Sequence, residues 1–128
     1  MSTTFEDLNV WKKSRILTLK LYKEINYNGD YNFKNQITKA AISISNNIAE
    51  GKSRKSDAEY KNFLRYAFAS CAEVKSMIYL ASDLNYLKLK KEMILLENCD
   101  EINKMINGLK KYLSKSLKPK AKSLKPKA

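Results

Sequence analysis

The chain of 128 residues contains no histidine. That absence removes Ser-His-Asp and Cys-His nucleophile systems, His-ligated zinc and the Glu-x-x-His di-iron arrangement of some helical bundles. It also disfavours helical-bundle RNases built on an Arg-x-His pair. Glycine is scarce, with three isolated residues, so a glycine-rich phosphate loop is excluded. The two cysteines, Cys71 and Cys99, are too few for a disulfide framework and too dispersed for a metal cluster. They read as reduced packing residues. No apolar run approaches the roughly 18 residues of a membrane span. The start MSTTFEDLNVW lacks the basic-then-apolar pattern of a signal peptide. The expectation is a cytoplasmic protein without membrane contact, metal, cofactor or catalytic residues, carboxylate-only chemistry being the one enzymatic route left open.

Positive charge, by contrast, is abundant and uneven. All thirteen acidic residues precede Ile102, whereas Lys110, Lys111, Lys115, Lys118, Lys120, Lys122, Lys125 and Lys127 crowd the end. These eight lysines carry two thirds of the net charge of +12. The body and the end of the chain therefore call for separate explanations.

Hydrophobic periodicity predicts four helices. The first covers about residues 7–25, with Thr3 or Thr4 as candidate caps. Leu8, Trp11, Leu17, Leu21, Tyr22 and Ile25 form its apolar side, and Trp11 is the expected core anchor. Asn26 to Asn32, with Gly29 and Asp30, form the first break. The second helix covers about residues 33–50, with Gly51 as its left-handed C-terminal cap. Ser56-Asp57-Ala58-Glu59 reads as a capping box that opens a third helix to about Leu84. Phe63, Leu64, Ala67, Ser70, Val74, Met77, Ile78 and Ala81 face its inside. The fourth helix ends near Leu113 and uses Leu95, Cys99, Ile102, Ile106, Leu109 and Leu113.

Long helices joined by short turns imply antiparallel neighbours, hence an all-α, up-down-up-down four-helix bundle over residues 1–115. Residues 116–128 repeat SLKPKA around Lys122. Pro119, Pro126 and like charge oppose helix and compaction, so this stretch is expected to be a disordered basic tail. It reads either as a solubilising or cloning-derived extension or as a flexible polycation for phosphates.

The second helix carries the densest pattern. At 100° per residue, Gln36, Lys39, Ser43, Asn46, Asn47 and Glu50 fall on one side, with Ile37, Ala40, Ala41, Ile44 and Ile48 beside them. Short amides and hydroxyls in such a stripe suit a crowded contact where each group has a fixed partner. Gln36, Asn47, Glu50, Gly51, Ser70 and Glu73 are the candidates for a register-setting polar network, with Lys39 or Arg54 balancing the carboxylates. The competing reading, two carboxylates binding metal or acting as acid and base, lacks further ligands nearby.

Leu8-x-Val10-Trp11, Gln36, Ala40-Ala41, Ser43-Ile44, Asn47-Ile48-Ala49-Glu50-Gly51, Arg54, Ser56, Glu59-Tyr60, Phe63-Leu64, Ala67, Ser70 and Glu73 together resemble the bacterial four-helix bundle family of 23S rRNA intervening-sequence proteins. The resemblance runs from about Phe5 to Leu113. It implies a ring-like homo-oligomer, a pentamer in structurally known relatives, and kinship with the accessory protein of diversity-generating retroelements, which works with a reverse transcriptase and nucleic acid. The chain departs from the family pattern at Thr38-Lys39, where a basic pair is common, and at Ala69-Ser70, where Gly-Ser is usual. The proline often preceding the second helix is absent around Tyr27-Asn28.

Lys39, Lys52, Arg54, Lys55, Lys61 and Arg65 are candidates for one positive patch, joined functionally by Lys110, Lys111, Lys115 and the tail lysines. The leading expectation is a non-enzymatic homo-oligomer that binds structured RNA or DNA through backbone charge, as an accessory to a reverse transcriptase or similar nucleoprotein. The alternative is a structural or protein-interaction oligomer whose tail serves solubility. A nuclease or nucleotidyl-transfer enzyme using Glu50 and Glu73 stands third.

Overall fold

A computed structural model describes residues 4–124 of the chain, with side chains as far as Lys115. A single 3₁₀ turn, Phe5–Asp7, leads into four helices: α1 (Asn9–Glu24), α2 (Tyr31–Lys52), α3 (Asp57–Asp83) and α4 (Leu89–Leu124). No strand occurs among the described residues. Each helix packs on its sequence neighbours, α4 closes against α1, and the diagonal pairs make no close backbone approach. Cross-helix contacts fix an antiparallel register. Lys13 and Glu24 of α1 pair with Glu101 and Lys91 of α4. Lys75 and Lys61 of α3 reach Asp100 and Ser114 of α4. The expected up-down-up-down bundle is the fold.

The core follows the 3.6-residue period. Leu17 and Leu21, Ile37 and Ile44, Leu64 and Ile78, and Leu95 and Ile106 are essentially sealed from solvent. Leu8 and Trp11 pack half-buried against this core, while Tyr22, expected inside, is exposed. The Trp11 ring meets the Phe5 ring edge-on at 5.0 Å and carries Arg15 on its face at 5.5 Å. Ser14 and Thr38 are buried because each hydroxyl donates to the carbonyl one turn back, Val10 at 2.7 Å and Lys34 at 2.6 Å. Cys71 and Cys99 are free, buried thiols between α3 and α4, Cys71 donating to the Cys99 carbonyl at 3.5 Å. Contact with Cys71 and burial together push the Cys99 thiol well above its ordinary range, as suits a thiol packed in the core.

The helix ends show which caps the sequence places correctly. Ser56 accepts from the Glu59 N–H at 3.1 Å, as the capping box requires, although its hydroxyl, not its N–H, contacts the Glu59 carboxylate at 3.4 Å. α2 starts earlier than expected because Asp30 caps it, accepting from the Phe33 N–H at 3.1 Å. The other oxygen of Asp30 accepts from the Tyr86 hydroxyl at 2.8 Å, tying the α1–α2 loop to the α3–α4 loop.

The left-handed cap lies elsewhere than expected. Gly51 is inside α2, has no positive φ, and the helix continues to Lys52. Asn85, with φ of 61°, closes α3 instead. The Tyr86 N–H reaches the Ala81 carbonyl at 2.8 Å and the Asn85 N–H reaches Ser82 at 3.0 Å, the two bonds of a Schellman cap. α4 also outruns its expected end, its backbone staying helical to Leu124. Residues 125–128 and all side chains from Ser116 on lie outside the described residues, so of the stretch expected to be a disordered tail only the helical backbone of residues 116–124 is described.

Candidate functional site

Two grooves flank α3, and the residues singled out in the sequence divide between them. On the α2 side the helices nearly touch. A Cβ added to Gly51 would come within 2.8 Å of the Phe63 Cβ and 3.0 Å of the Tyr60 ring. Gly51 is therefore a packing glycine, and its loss of side chain lets α2 and α3 cross closely. Above it, the Ser43 and Ser70 hydroxyls lie 2.9 Å apart across the two helices. Asn47 donates to the Ser43 hydroxyl at 2.9 Å and to its carbonyl at 2.8 Å.

Glu50 stands outside this network. Its carboxylate pairs with Arg54 at 2.9 Å on the surface, and the Arg54 guanidinium lies over Phe63 at 4.7 Å. Gln36, Lys39, Ala40, Ser43, Ser70 and Glu73 line a shallow recess of about 310 Å³ further along the seam. Gln36 and Glu73 are exposed there. The polar stripe thus splits into a bonded set, Asn47–Ser43–Ser70, and a solvated set. Ser43 is the bridging residue that the sequence left out of the expected partners. Its signal was present, one turn from Asn47 on the same stripe. Among the described residues no three His, Cys, Asp or Glu side chains gather where they could hold a metal ion.

On the α4 side the arrangement is different. The start of α3 and the later turns of α4 diverge around a groove of about 960 Å³. Ala58, Lys61, Asn62 and Arg65 recur at helical spacing along one wall, and Asn107, Lys110, Lys111, Ser114 and Lys115 along the other. Ser56 positions the first wall by starting α3, while buried Ile106 and Leu113 hold the second against the core. Lys61 donates to Ser114 at 3.1 Å, and Arg65 donates to Asn62 at 2.9 Å. Five cations thus line a groove with no carboxylate in its walls. None of the five forms an ion pair among the described residues, whereas Lys13, Arg54, Lys75 and Lys91 all do.

The structure regroups the expected positive patch. Lys61 and Arg65 join Lys110, Lys111 and Lys115, which are about fifty residues away in sequence. Lys39 sits in the other recess, thirteen positions before Lys52 and so about 20 Å along α2. Lys52 and Lys55 lie near the α2–α3 turn but do not line the groove, and Arg54 is committed to Glu50. Lys118, Lys120, Lys122, Lys125 and Lys127 fall outside the described side chains. Each wall is about 10–12 Å long by helical rise, enough for two or three phosphates in succession.

A family model described as 23S rRNA-intervening sequence protein matches residues 6–108. Among solved structures, the chain is similar in fold to a protein of unknown function from the S23 ribosomal protein family of Bacteroides thetaiotaomicron. The TM-score is 0.72 at 24% identity, over 80% of this chain and 98% of that one. No curated protein matches the chain.

Proposed function

The chain belongs to the 23S rRNA-intervening sequence protein family, and from that premise we propose that it is a non-enzymatic, cytoplasmic bundle that binds the phosphate backbone of RNA or DNA in the α3–α4 groove. The observation that carries the proposal is the groove itself: five cations, two amides and a hydroxyl, with no carboxylate in the walls. Cations left without counter-charges repel one another, and a polyanion relieves that repulsion while releasing its own condensed ions. The amides and the hydroxyl add hydrogen-bonding groups that reach phosphate and sugar oxygens but hold no fixed base pattern.

Assembly into a homo-oligomer, in the pentameric ring that the resemblance implies, would repeat the groove around one particle. Weak single sites would then act together, as an accessory to a reverse transcriptase or another nucleoprotein requires. No described helix is long and apolar enough to cross a membrane. The second reading, a protein-interaction oligomer, draws its support from exposed Leu19, Leu89 and Met93.

Salt dependence tests the groove. If all five cations meet phosphates of a duplex, affinity falls by about 500-fold between 50 and 200 mM salt, from a slope of roughly 0.9 per phosphate contact. A fluorescence-anisotropy titration of the full chain reads this directly. A flat salt profile, or no binding at the lower salt, would sink the proposal in favour of the second reading.

A further inference from the structure

Gly108 is a glycine that the fold of a single chain does not need. It lies in the interior of α4 without a positive φ, and a Cβ placed there meets nothing within 4 Å. Gly51 is the opposite case, where the same atom would collide with α3. A glycine in a helix interior weakens the helix relative to alanine, so an exposed one with open space around it has no internal compensation. One turn away on either side stand Lys104 and Met105, then Lys111 and Tyr112. Lys111 belongs to the basic groove. Tyr112 is 67% exposed and has neither a ring contact nor a hydrogen bond among the described residues. The nearby carboxylate, Glu101, is held by Lys13 at 2.8 Å. A bare stretch of α4 therefore lies between the groove lysines and an unoccupied aromatic face.

We infer that a single-stranded nucleic acid leaves the α3–α4 groove across α4 at Gly108 and stacks a base on Tyr112. The inference rests on the groove as a phosphate site and adds the class of nucleic acid. Lys104 and Lys111 flank the crossing point and favour a polyanion there over a neutral or basic peptide. An unpaired nucleotide can present a base face to Tyr112, whereas a duplex keeps its base faces stacked inside. The missing side chain at Gly108 lets the backbone of the strand pass low over the helix between those two features.

The test compares a labelled single-stranded oligonucleotide with a duplex of the same length, bound to the full chain. Tyr112→Ala is expected to weaken single-strand binding about tenfold, the scale of losing one base–aromatic stack, and to leave the duplex unchanged. Tyr112→Phe keeps the ring and is expected to keep the affinity. Gly108→Leu is expected to raise the thermal midpoint while weakening the single strand selectively, an outcome that a purely structural role does not produce. Equal effects of Tyr112→Ala on both substrates, or none on either, overturn the inference. So does a change in sedimentation of Gly108→Leu, which would make the bare stretch a contact between copies. The groove reading fails separately, if Lys61→Glu with Lys110→Glu leaves binding of both substrates intact.

Discussion

Helix α3 meets α2 and α4 along seams of opposite character. Towards α2, Gly51 removes a side chain so that Tyr60 and Phe63 can close the gap, and Ser43, Asn47 and Ser70 bond across it. Towards α4, at the same end of the bundle, the helices leave a groove of about 960 Å³ walled by lysine, arginine and asparagine. The first seam is short of space, and its Ser43, Asn47 and Ser70 side chains are satisfied within the chain. The second is short of negative charge, and its cations are satisfied by neutral groups or solvent. Residues that bear the family resemblance concentrate on the first seam. The groove that can attract a partner is built largely from other residues. Family identity and the proposed binding chemistry are therefore carried by different faces of one helix.

The sharpest way to break the first seam is Gly51→Leu. A leucine is the better helix former by less than about 1 kcal/mol, but its Cβ meets another Cβ at 2.8 Å, which cannot rotate aside. Net destabilisation of about 3 kcal/mol is expected, read as a lowered urea midpoint with an unchanged slope. Nucleic-acid affinity per folded molecule should stay as it was. Lys61→Glu combined with Lys110→Glu attacks the other seam. Affinity for nucleic acid is expected to drop at least 100-fold, or about 2.7 kcal/mol, while stability moves by no more than about 0.5 kcal/mol. If that double variant unfolds the protein, the two seams are not separable in this way.

A smaller effect sharpens the first seam. The Tyr60 hydroxyl is buried and bonds to no group among the described residues. Tyr60→Phe is therefore expected to stabilise the fold by about 1 kcal/mol, since it removes an unsatisfied polar atom and keeps the ring against Gly51. The same residue has a pH signature. Burial, helped by the Asp57 charge, pushes the Tyr60 phenol up to about 12. Burial does the same for Tyr27, also to about 12. A phenol that ionises later in the folded chain than in the unfolded one stabilises fully below the ordinary value near 10. That contribution is lost as pH rises from about 10 through about 12. Denaturation midpoints measured across that window should fall less steeply in Tyr60→Phe than in the wild type. Parallel curves would show that the buried phenol is not the titrating group.

Much of this fold is legible in the sequence because the signals are local. The Ser56 cap, the apolar period of α3 and the polar stripe of α2 each arise within a few turns of one helix. The structure places the first two as expected, and of the stripe only Ser43, joined by Asn47, bonds across to Ser70 among the described residues. The misplaced cap shows where local signals run out. A glycine at the end of an apolar period looks the same whether it adopts a left-handed turn or makes room for another helix. Gly51 does the second, and Asn85 takes the turn. Glu50 likewise sits on the same stripe as Asn47, yet it is exposed and pairs with Arg54, while Asn47 bonds to Ser43 beside α3.

What the sequence determined by itself was the set of four helices, their antiparallel order and the family, since periodicity, caps and a dense motif are short-range properties of the chain. Which cations act together was decided only by tertiary structure. Lys61 and Arg65 stand beside Arg54 and Lys55 in sequence, but α3 and α4 run antiparallel, so the start of one lies against the later turns of the other. Charge acts through space over a few ångströms, and that distance is set by helix packing. Whether a lysine is a solvated surface residue or one wall of a groove follows from which helix lies opposite it.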